Sequence, residues 1–516
     1  MSISRTIAKN TLFNFINTAA STAISFVVSI LLARGLGVEE YGLYTFLMWF
    51  LSLAGLIINL GLGEMTRRFI AEAIGQGKPQ TAIGIARLSL FIRLIATLIL
   101  AAIIYFSSNA LTGVFTEVND GVYFLLVLLV FLPDSIDNIF GSIYNGYQNY
   151  EYGAYLVLGT SPLRLGGVIA MLALGYGVEE IILVSAGISF IAFLCNIFFV
   201  RRLIPLRALF TTRLEPGVRK EALKYSAALM GVQGVSYFVW SQAEVLFLGI
   251  YTSIEDIAYY NLAFKFPRMI ITLIPYVFGR VLLPTVAEQF GKGDMDKVRA
   301  IYITSARYLM MLTFPIVAGG IILAQSLISV IYGPEYQPAV ALMQVIFIPF
   351  STIGLTHAST SIIFGINKPS FILKTGIPVI LAGIGLYLWA IPRWGVMGAA
   401  IAGSIPRIAV FFIYNYYVYK KIGVHWPIGD TVRIILASGI MGGAVFGIQY
   451  FLGDAPGLYI GIPAGAIVFF IALIALRFMT RQEIGLLRKA ERRIPPAVRG
   501  GYASVINLIE KLSRRS

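Results

Sequence analysis

The sequence predicts an all-α polytopic membrane protein with about fourteen transmembrane helices: two parallel six-helix repeats followed by a C-terminal helix pair. Three observations lead there. The composition is extremely apolar, the charge of successive loops alternates, and one half of the chain repeats in the other.

Of 516 residues, 58% are hydrophobic and 13% charged, with a mean hydropathy of +0.81. Soluble domains average roughly 45–50% apolar and about 25% charged residues. A water-soluble surface this apolar would carry patches that drive aggregation. The formal charge of +15 fits basic loops on one side of a membrane better than nucleic acid, which is not an expected partner. Cys195 is the sole cysteine and His357 and His425 the sole histidines. That excludes a disulfide framework and a thiolate or His-rich metal centre.

Apolar runs mark spans at 11–33, 42–63, 83–107, 121–145, 152–175, 180–200, 225–250, 257–283, 300–323, 338–364, 371–391, 396–419, 430–452 and 457–478. Arg5 and Lys9 precede the first run, which is long enough to cross a hydrocarbon core of roughly 30 Å, and no cleavable signal peptide is evident. Loops after even-numbered spans are basic: Arg67, Arg68 and Lys78, then Arg201, Arg202, Arg207, Arg213, Arg219 and Lys220. The series continues with Lys292, Lys297 and Arg299, then Lys368, then Lys420 and Lys421. Loops after odd-numbered spans carry Glu39 and Glu40, Glu117 and Asp120, Glu179 and Glu180, Glu255 and Asp256, Glu335, and Asp454. Arg34 and Arg393 alone depart from the pattern. The positive-inside rule then puts both termini on the cytoplasmic side of the cytoplasmic membrane. A wrong span count would scramble the alternation. The tail at 480–516 is basic and amphipathic, as expected of a segment lying on an anionic leaflet or of a solvated helix.

Ala71-Glu72-Ala73-Ile74-Gly75-Gln76-Gly77 matches Ala287-Glu288-Gln289-Phe290-Gly291-Lys292-Gly293, and 287 − 71 = 216. The same offset relates Glu39 to Glu255, Tyr44 to Tyr260, Pro133 to Pro349, Pro162 to Pro378 and Gly187 to Gly403. Spans 1–6 therefore repeat as spans 7–12 in the same orientation. The expected organisation is an N-lobe at 1–203, a basic link at 204–224, a C-lobe at 225–421, an unrepeated hairpin at 422–479 and the tail. Pro133, Pro162, Pro349 and Pro378 fall in mid-span, where proline removes a backbone hydrogen bond and supplies kinks that gating can use.

Eight ionisable residues lie well inside spans: Arg93, Asp134, Asp137, Arg164, Glu244, Lys265, Arg268 and Arg407. Each is costly in lipid and should face a water-filled cavity or a partner. None has an ionisable counterpart at the repeat offset: Arg93 aligns with Leu309, Asp134 with Phe350, Asp137 with Ile353 and Arg164 with Ile380. Lobe-specific charges on a symmetric frame read as a substrate cavity. Internal ion pairs, such as Asp134 or Asp137 with Arg93 or Arg164, are the structural alternative. Cations outnumber acids five to three, which favours an anionic ligand, and Arg forks suit phosphate. Tyr237, Trp240, Tyr259 and Tyr260 are nearby aromatics able to stack on sugar faces or to serve as core and interfacial residues. No Walker motif, metal-ligand cluster or nucleophile elbow is present, and the outer loops are too short for a catalytic domain. The expectation is a transporter, not an enzyme.

Leu31-Leu32-Ala33-Arg34-Gly35-Leu36-Gly37-Val38-Glu39-Glu40-Tyr41-Gly42 resembles the signature that closes the first span in polysaccharide exporters and O-antigen-type flippases. Asn59-Leu60-Gly61-Leu62-Gly63 followed by Arg67-Arg68-Phe69 is similar to the second-span ending of that family. The resemblance implies membership of the multidrug/oligosaccharidyl-lipid/polysaccharide exporter superfamily, with lobes like those of the multidrug exporters. It implies transfer of a polyprenyl-diphosphate-linked oligosaccharide between leaflets, with the extra hairpin contributing to a lipid-tail groove. Arg93, Arg164, Lys265, Arg268 and Arg407 would then bind diphosphate or acidic sugars, and Arg34, near the outer mouth, would assist release. Asp134, Asp137 and Glu244 are candidates for coupling to H+ or Na+ or for orienting the arginines; no other cofactor is expected. Expected partners are the lipid-linked glycan, membrane lipids, and a polysaccharide polymerase and glycosyltransferases. A drug or metabolite cation antiporter of the same superfold, or a membrane glycosyl-transfer enzyme, are the competing readings.

Overall fold

The computed structural model describes residues 3–115, 118, 120–479, 485 and 488, with side chains from residue 12 onward except at 14, 15, 206 and 270–281. Glu117, the Arg5 and Lys9 side chains, and the tail apart from Gly485 and Arg488 lie outside this description.

Among the described residues, regular structure is helical throughout. In chain order the helices are α1 (Ile3–Asn59), α2 (Leu62–Gly75), α3 (Pro79–Val114), α4 (Val122–Gly146), α5 (Glu151–Ala173) and α6 (Val178–Leu203). There follow α7 (Leu206–Thr211), α8 (Pro216–Trp240), α9 (Val245–Tyr251), α10 (Ile254–Gly291), α11 (Met295–Ile322) and α12 (Ala324–Ile331). The last are α13 (Ala339–Phe350), α14 (Ile353–Gly365), α15 (Ser370–Ile422), α16 (Ile428–Leu452) and α17 (Asp454–Ala475). Among the described residues, ten segments are long and apolar enough to cross a membrane. Two of them, α1 and α15, each hold two expected spans joined by a kink rather than a loop, at Gly37 (φ 78°) and Gly395 (φ 53°). Only glycine adopts that left-handed backbone without steric cost.

Three expected spans are broken. The second stops at Asn59, passes through Leu60 (φ 48°) and Gly61 (φ 71°), and resumes as α2. The seventh breaks between Trp240 and Val245, which puts Glu244 at a helix interruption rather than inside a continuous span. The tenth breaks between Phe350 and Ile353, just after Pro349, where the Ser351 and Thr352 amides turn back to Ile348 and Pro349. Pro133, Pro162 and Pro378 sit inside helices that continue past them.

The chain forms two compact units, Met1–Asn261 with Ile372–Gly403, and Leu262–Phe371 with Ser404–Ser516. These differ from the lobes of the sequence repeat, since α8, α9 and residues 372–403 group with the first unit. Within that unit α4 packs on α6 and α1 on α5. One end is closed by a core of Met65, Phe69, Ile70, Ile85, Ile143, Val200 and Ile204. The link supplies α7, whose Leu209 joins this core.

In the second unit the hairpin α16–α17 packs against α11. Arg307 anchors it by an ion pair to Asp430 at 2.7 Å and a hydrogen bond to the Phe478 carbonyl at 3.1 Å.

The repeat is visible as geometry. Gly77 and Gly293 take φ of 69° and 73°. Lys78 N donates to Ala73 O at 2.9 Å, and at equivalent positions Asp294 N donates to Gln289 O at 3.0 Å. The duplicated motif is a helix-ending turn that satisfies otherwise orphan carbonyls and needs a left-handed residue. Asp294 goes on to cap α11, and the hydrogen bond from the exposed Lys297 ammonium holds its carboxyl below the usual carboxylate range.

Candidate functional site

The break at Asn59 organises a polar cavity in the first unit. Interrupting a helix leaves backbone carbonyls without intrahelical partners, and Ser226 of α8 takes one of them, its Oγ donating to Leu60 O at 2.6 Å. The Asn59 side chain donates through Nδ2 to Gln233 Oε1 at 2.9 Å. Arg93 of α3 arrives from the other side. Its Nη2 donates to Asn138 Oδ1 at 3.1 Å and to Asn59 Oδ1 at 3.4 Å. Arg93 is 2% exposed, and its Nε has no hydrogen-bond partner.

Asn59, Arg93 and Asn138 line a cavity of about 480 Å³, together with Asp134, Ser135, Phe131 and Tyr237. Thr97 and Ser135 add a hydroxyl pair at 3.1 Å. The result is one buried cation among neutral amides and hydroxyls, with a carboxylate open to the same space.

Arg164 of α5 donates through Nη2 to the Tyr44 hydroxyl at 3.3 Å, and its Nε is likewise unpartnered. It acts on Asp134 through space, while Ser189 of α6 is within reach of that carboxylate. Among the described residues no ion pair within 4.0 Å joins Arg93 or Arg164 to Asp134 or Asp137. Asp137 lies beside Asn196 of α6. Glu244 is fully buried; Tyr260 donates to its Oε1, and Tyr387 donates to its Oε2 at 3.4 Å.

The second unit gathers cations around one ring. The Arg407 guanidinium stands 5.0 Å and that of Arg268 6.0 Å from the centroid of Phe264. Arg407 is wholly enclosed, Lys265 is half-buried and Arg268 is exposed. Such cation–π contacts hold a guanidinium without spending its hydrogen bonds. Arg34 is exposed near the Gly37 kink. An apolar cavity of about 370 Å³ lies in this unit, lined by Met311, Pro315 and Gly319 of α11, Met441 and Val445 of α16, and Gly461, Gly465 and Phe469 of α17.

A model of the family described as "Polysaccharide biosynthesis protein" matches residues 31–341, more than half the chain. The chain belongs to that family. It is 21% identical to Stage V sporulation protein B of Bacillus subtilis (strain 168), across 95% of this chain and 98% of that one. It is 20% identical to the probable flippase AglR of Haloferax volcanii over 50% of this chain and 56% of the relative. Among solved structures, the lipid II flippase MurJ in an inward closed conformation superposes with a TM-score of 0.69, at 17% identity, over 89% of this chain and 97% of that one. The chain is thus a polytopic member of the multidrug/oligosaccharidyl-lipid/polysaccharide exporter superfamily, as the motifs around Arg34 and Asn59 led us to expect.

Within this family member, the sequence-predicted residues fall into separate groups. Arg93 and Asp134 share one cavity, Arg268 and Arg407 share one aromatic ring, and Asp137 and Glu244 each have surroundings of their own. Asn59, Asn138 and Gln233 escaped a search for charges, although amides inside apolar spans are themselves expensive and therefore a signal.

Proposed function

We propose that the protein is a flippase that translocates a polyprenyl-diphosphate-linked oligosaccharide across the cytoplasmic membrane for cell-surface polysaccharide biosynthesis. Its two repeats alternate the access of a cationic cavity, and its termini are cytoplasmic. The observation that carries this reading is Arg93, a buried guanidinium with an unpartnered Nε, set against Asn59 and Asn138 in a cavity of about 480 Å³. Guanidinium groups bind phosphate oxygens through charge-assisted hydrogen bonds. Amides and the Tyr237 ring suit glycan hydroxyls and sugar faces.

Arg34 and Arg164 of the first unit, and Lys265, Arg268 and Arg407 of the second, are further cations for anionic groups of the substrate, and the apolar cavity beside the α16–α17 hairpin suits a prenyl chain. Names among the relatives, a probable flippase and a lipid II flippase, support a transporter rather than an enzyme. A polymerase and glycosyltransferases are the partners such a pathway needs.

The test is a flipping assay in proteoliposomes with a fluorescent polyprenyl-diphosphate oligosaccharide. Arg93→Ala, Arg164→Ala and Arg268→Ala should each slow transfer. Undiminished transfer by all three would remove the cationic cavity from the mechanism, and arginine-independent efflux of a cationic dye would favour the antiporter.

A further inference from the structure

Of the residues that line the Arg93 cavity, Ser52, Asp134 and Asn138 are exposed, and the others are buried or half-buried. All three are polar, and each keeps hydrogen-bonding capacity that the protein does not use. Asn138 spends its Oδ1 on Arg93, and among the described residues its Nδ2 donates to no protein group. The Ser52 hydroxyl likewise has no protein partner among the described residues. Ser189 of α6 is within reach of the Asp134 carboxylate, which still has lone pairs to offer.

Asp134 and Asn138 stand four residues apart on α4, so they share a face one turn apart. The cavity wall there sets an acceptor beside a donor. Gly55, one turn from Ser52 on α1, lines the same cavity, and a Cβ built on it would meet nothing within 4 Å.

A sugar hydroxyl is donor and acceptor at once, so one hydroxyl can give its proton to Asp134 and accept from Asn138 Nδ2. The carboxylate of an acidic sugar only accepts. Set against Asp134 it leaves two carboxylates face to face with no donor between them, which is costly. Among the described residues Arg93 is the one cation in the lining. With a phosphate on it, no cation there is left to balance a second anion.

We propose that Asp134, Asn138 and Ser52 form a subsite for an uncharged, hydroxyl-bearing sugar, the one carried directly by the diphosphate, and that Asp134 rejects acidic sugars there. Asn138 sets the register, because it touches Arg93 through Oδ1 and faces the sugar through Nδ2. The link to a diphosphate rests on the flippase reading above; the preference for an uncharged sugar does not.

The test measures binding to the purified full-length chain in nanodiscs. Polyprenyl diphosphates of one chain length are compared bare, carrying a hexose, and carrying the matching hexuronic acid, in gluco and galacto forms. Short alkyl hexosides and hexuronides, below their micelle concentrations, repeat the comparison without phosphate. For at least one configuration the hexose should bind about tenfold or more tightly than its acid. Asp134→Asn, which keeps the shape and removes the charge, should erase most of that gap. Ser52→Ala should shrink the advantage of the hexose-bearing lipid over the bare one.

The proposal fails if the wild type binds hexose and hexuronate alike in both configurations, or if Asp134→Asn keeps the full preference. Should Asp134→Asn not fold, Ser52→Ala decides, and an unchanged advantage of hexose over bare lipid overturns the subsite. A chain that ignores every diphosphate lipid but keeps an Asp134-dependent preference among alkyl glycosides overturns the flippase reading and not the subsite. Binding of the bare lipid without discrimination between sugars does the reverse, and no binding of any probe overturns both.

Discussion

Tyr44 and Tyr260 occupy the same position of the 216-residue repeat (260 − 44 = 216), and each holds an intramembrane charge of opposite sign. Tyr44 accepts from the Arg164 guanidinium; Tyr260 donates to the Glu244 carboxylate. A phenol serves both because its hydroxyl is donor and acceptor at once. The duplicated frame thus kept one adaptable group, and the charges were added lobe by lobe.

Removing the two hydroxyls should have unlike effects. Tyr260→Phe takes a donor from a fully buried carboxylate and should lower stability by about 1–3 kcal/mol. Tyr44→Phe leaves Arg164 in place with one partner fewer, so transport should fall while the melting temperature changes little. Equal thermal shifts in the two variants would contradict this division.

Arg93→Ala should reduce binding or transfer of a diphosphate-linked substrate by roughly 10–100-fold, the equivalent of a charge-assisted hydrogen bond worth about 1.5–3 kcal/mol. Arg93→Lys should recover only part of this, because an ammonium lacks the planar fork. Substrate titration by fluorescence measures both.

Gly61→Ala should destabilise the protein by about 1–3 kcal/mol through its left-handed backbone alone. The added Cβ would also meet the Ser226 carbonyl oxygen. Gly166→Ala, inside α5 and facing open space, should be neutral or stabilising by up to about 1 kcal/mol. Thermal denaturation in detergent separates them.

Asp430→Ala leaves Arg307, 11% exposed in its side chain, without its carboxylate, and should cost on the order of 3 kcal/mol. Proteolysis should then cut first in α16–α17. Replacing both partners by leucine should be milder than either single change, since no buried charge is left uncompensated and Arg433, the other partner of Asp430, is exposed.

The helical, apolar character of the chain and the duplication were legible because hydropathy, loop charge and the turn at Gly77 and Gly293 are local properties written into consecutive residues. The breaks were half legible. The Asn59-Leu60-Gly61 motif was visible as a family-like pattern, but that it turns an amide toward Arg93 was not. Nothing in the run around Trp240 announced that Glu244 sits at an interruption.

By itself the sequence determined a polytopic helical membrane protein with a repeated frame and eight charges inside it. Only the tertiary structure decided what those charges face. Arg93 chose Asn138, 45 residues away, over the nearby acids; Arg407 lies over Phe264, and Asp137 was left beside Asn196. The physical reason is that an intramembrane charge is satisfied by whichever neighbouring helix presents a dipole, a ring or a hydroxyl at its depth. Depth and rotation are set by packing between helices, and no single span encodes them.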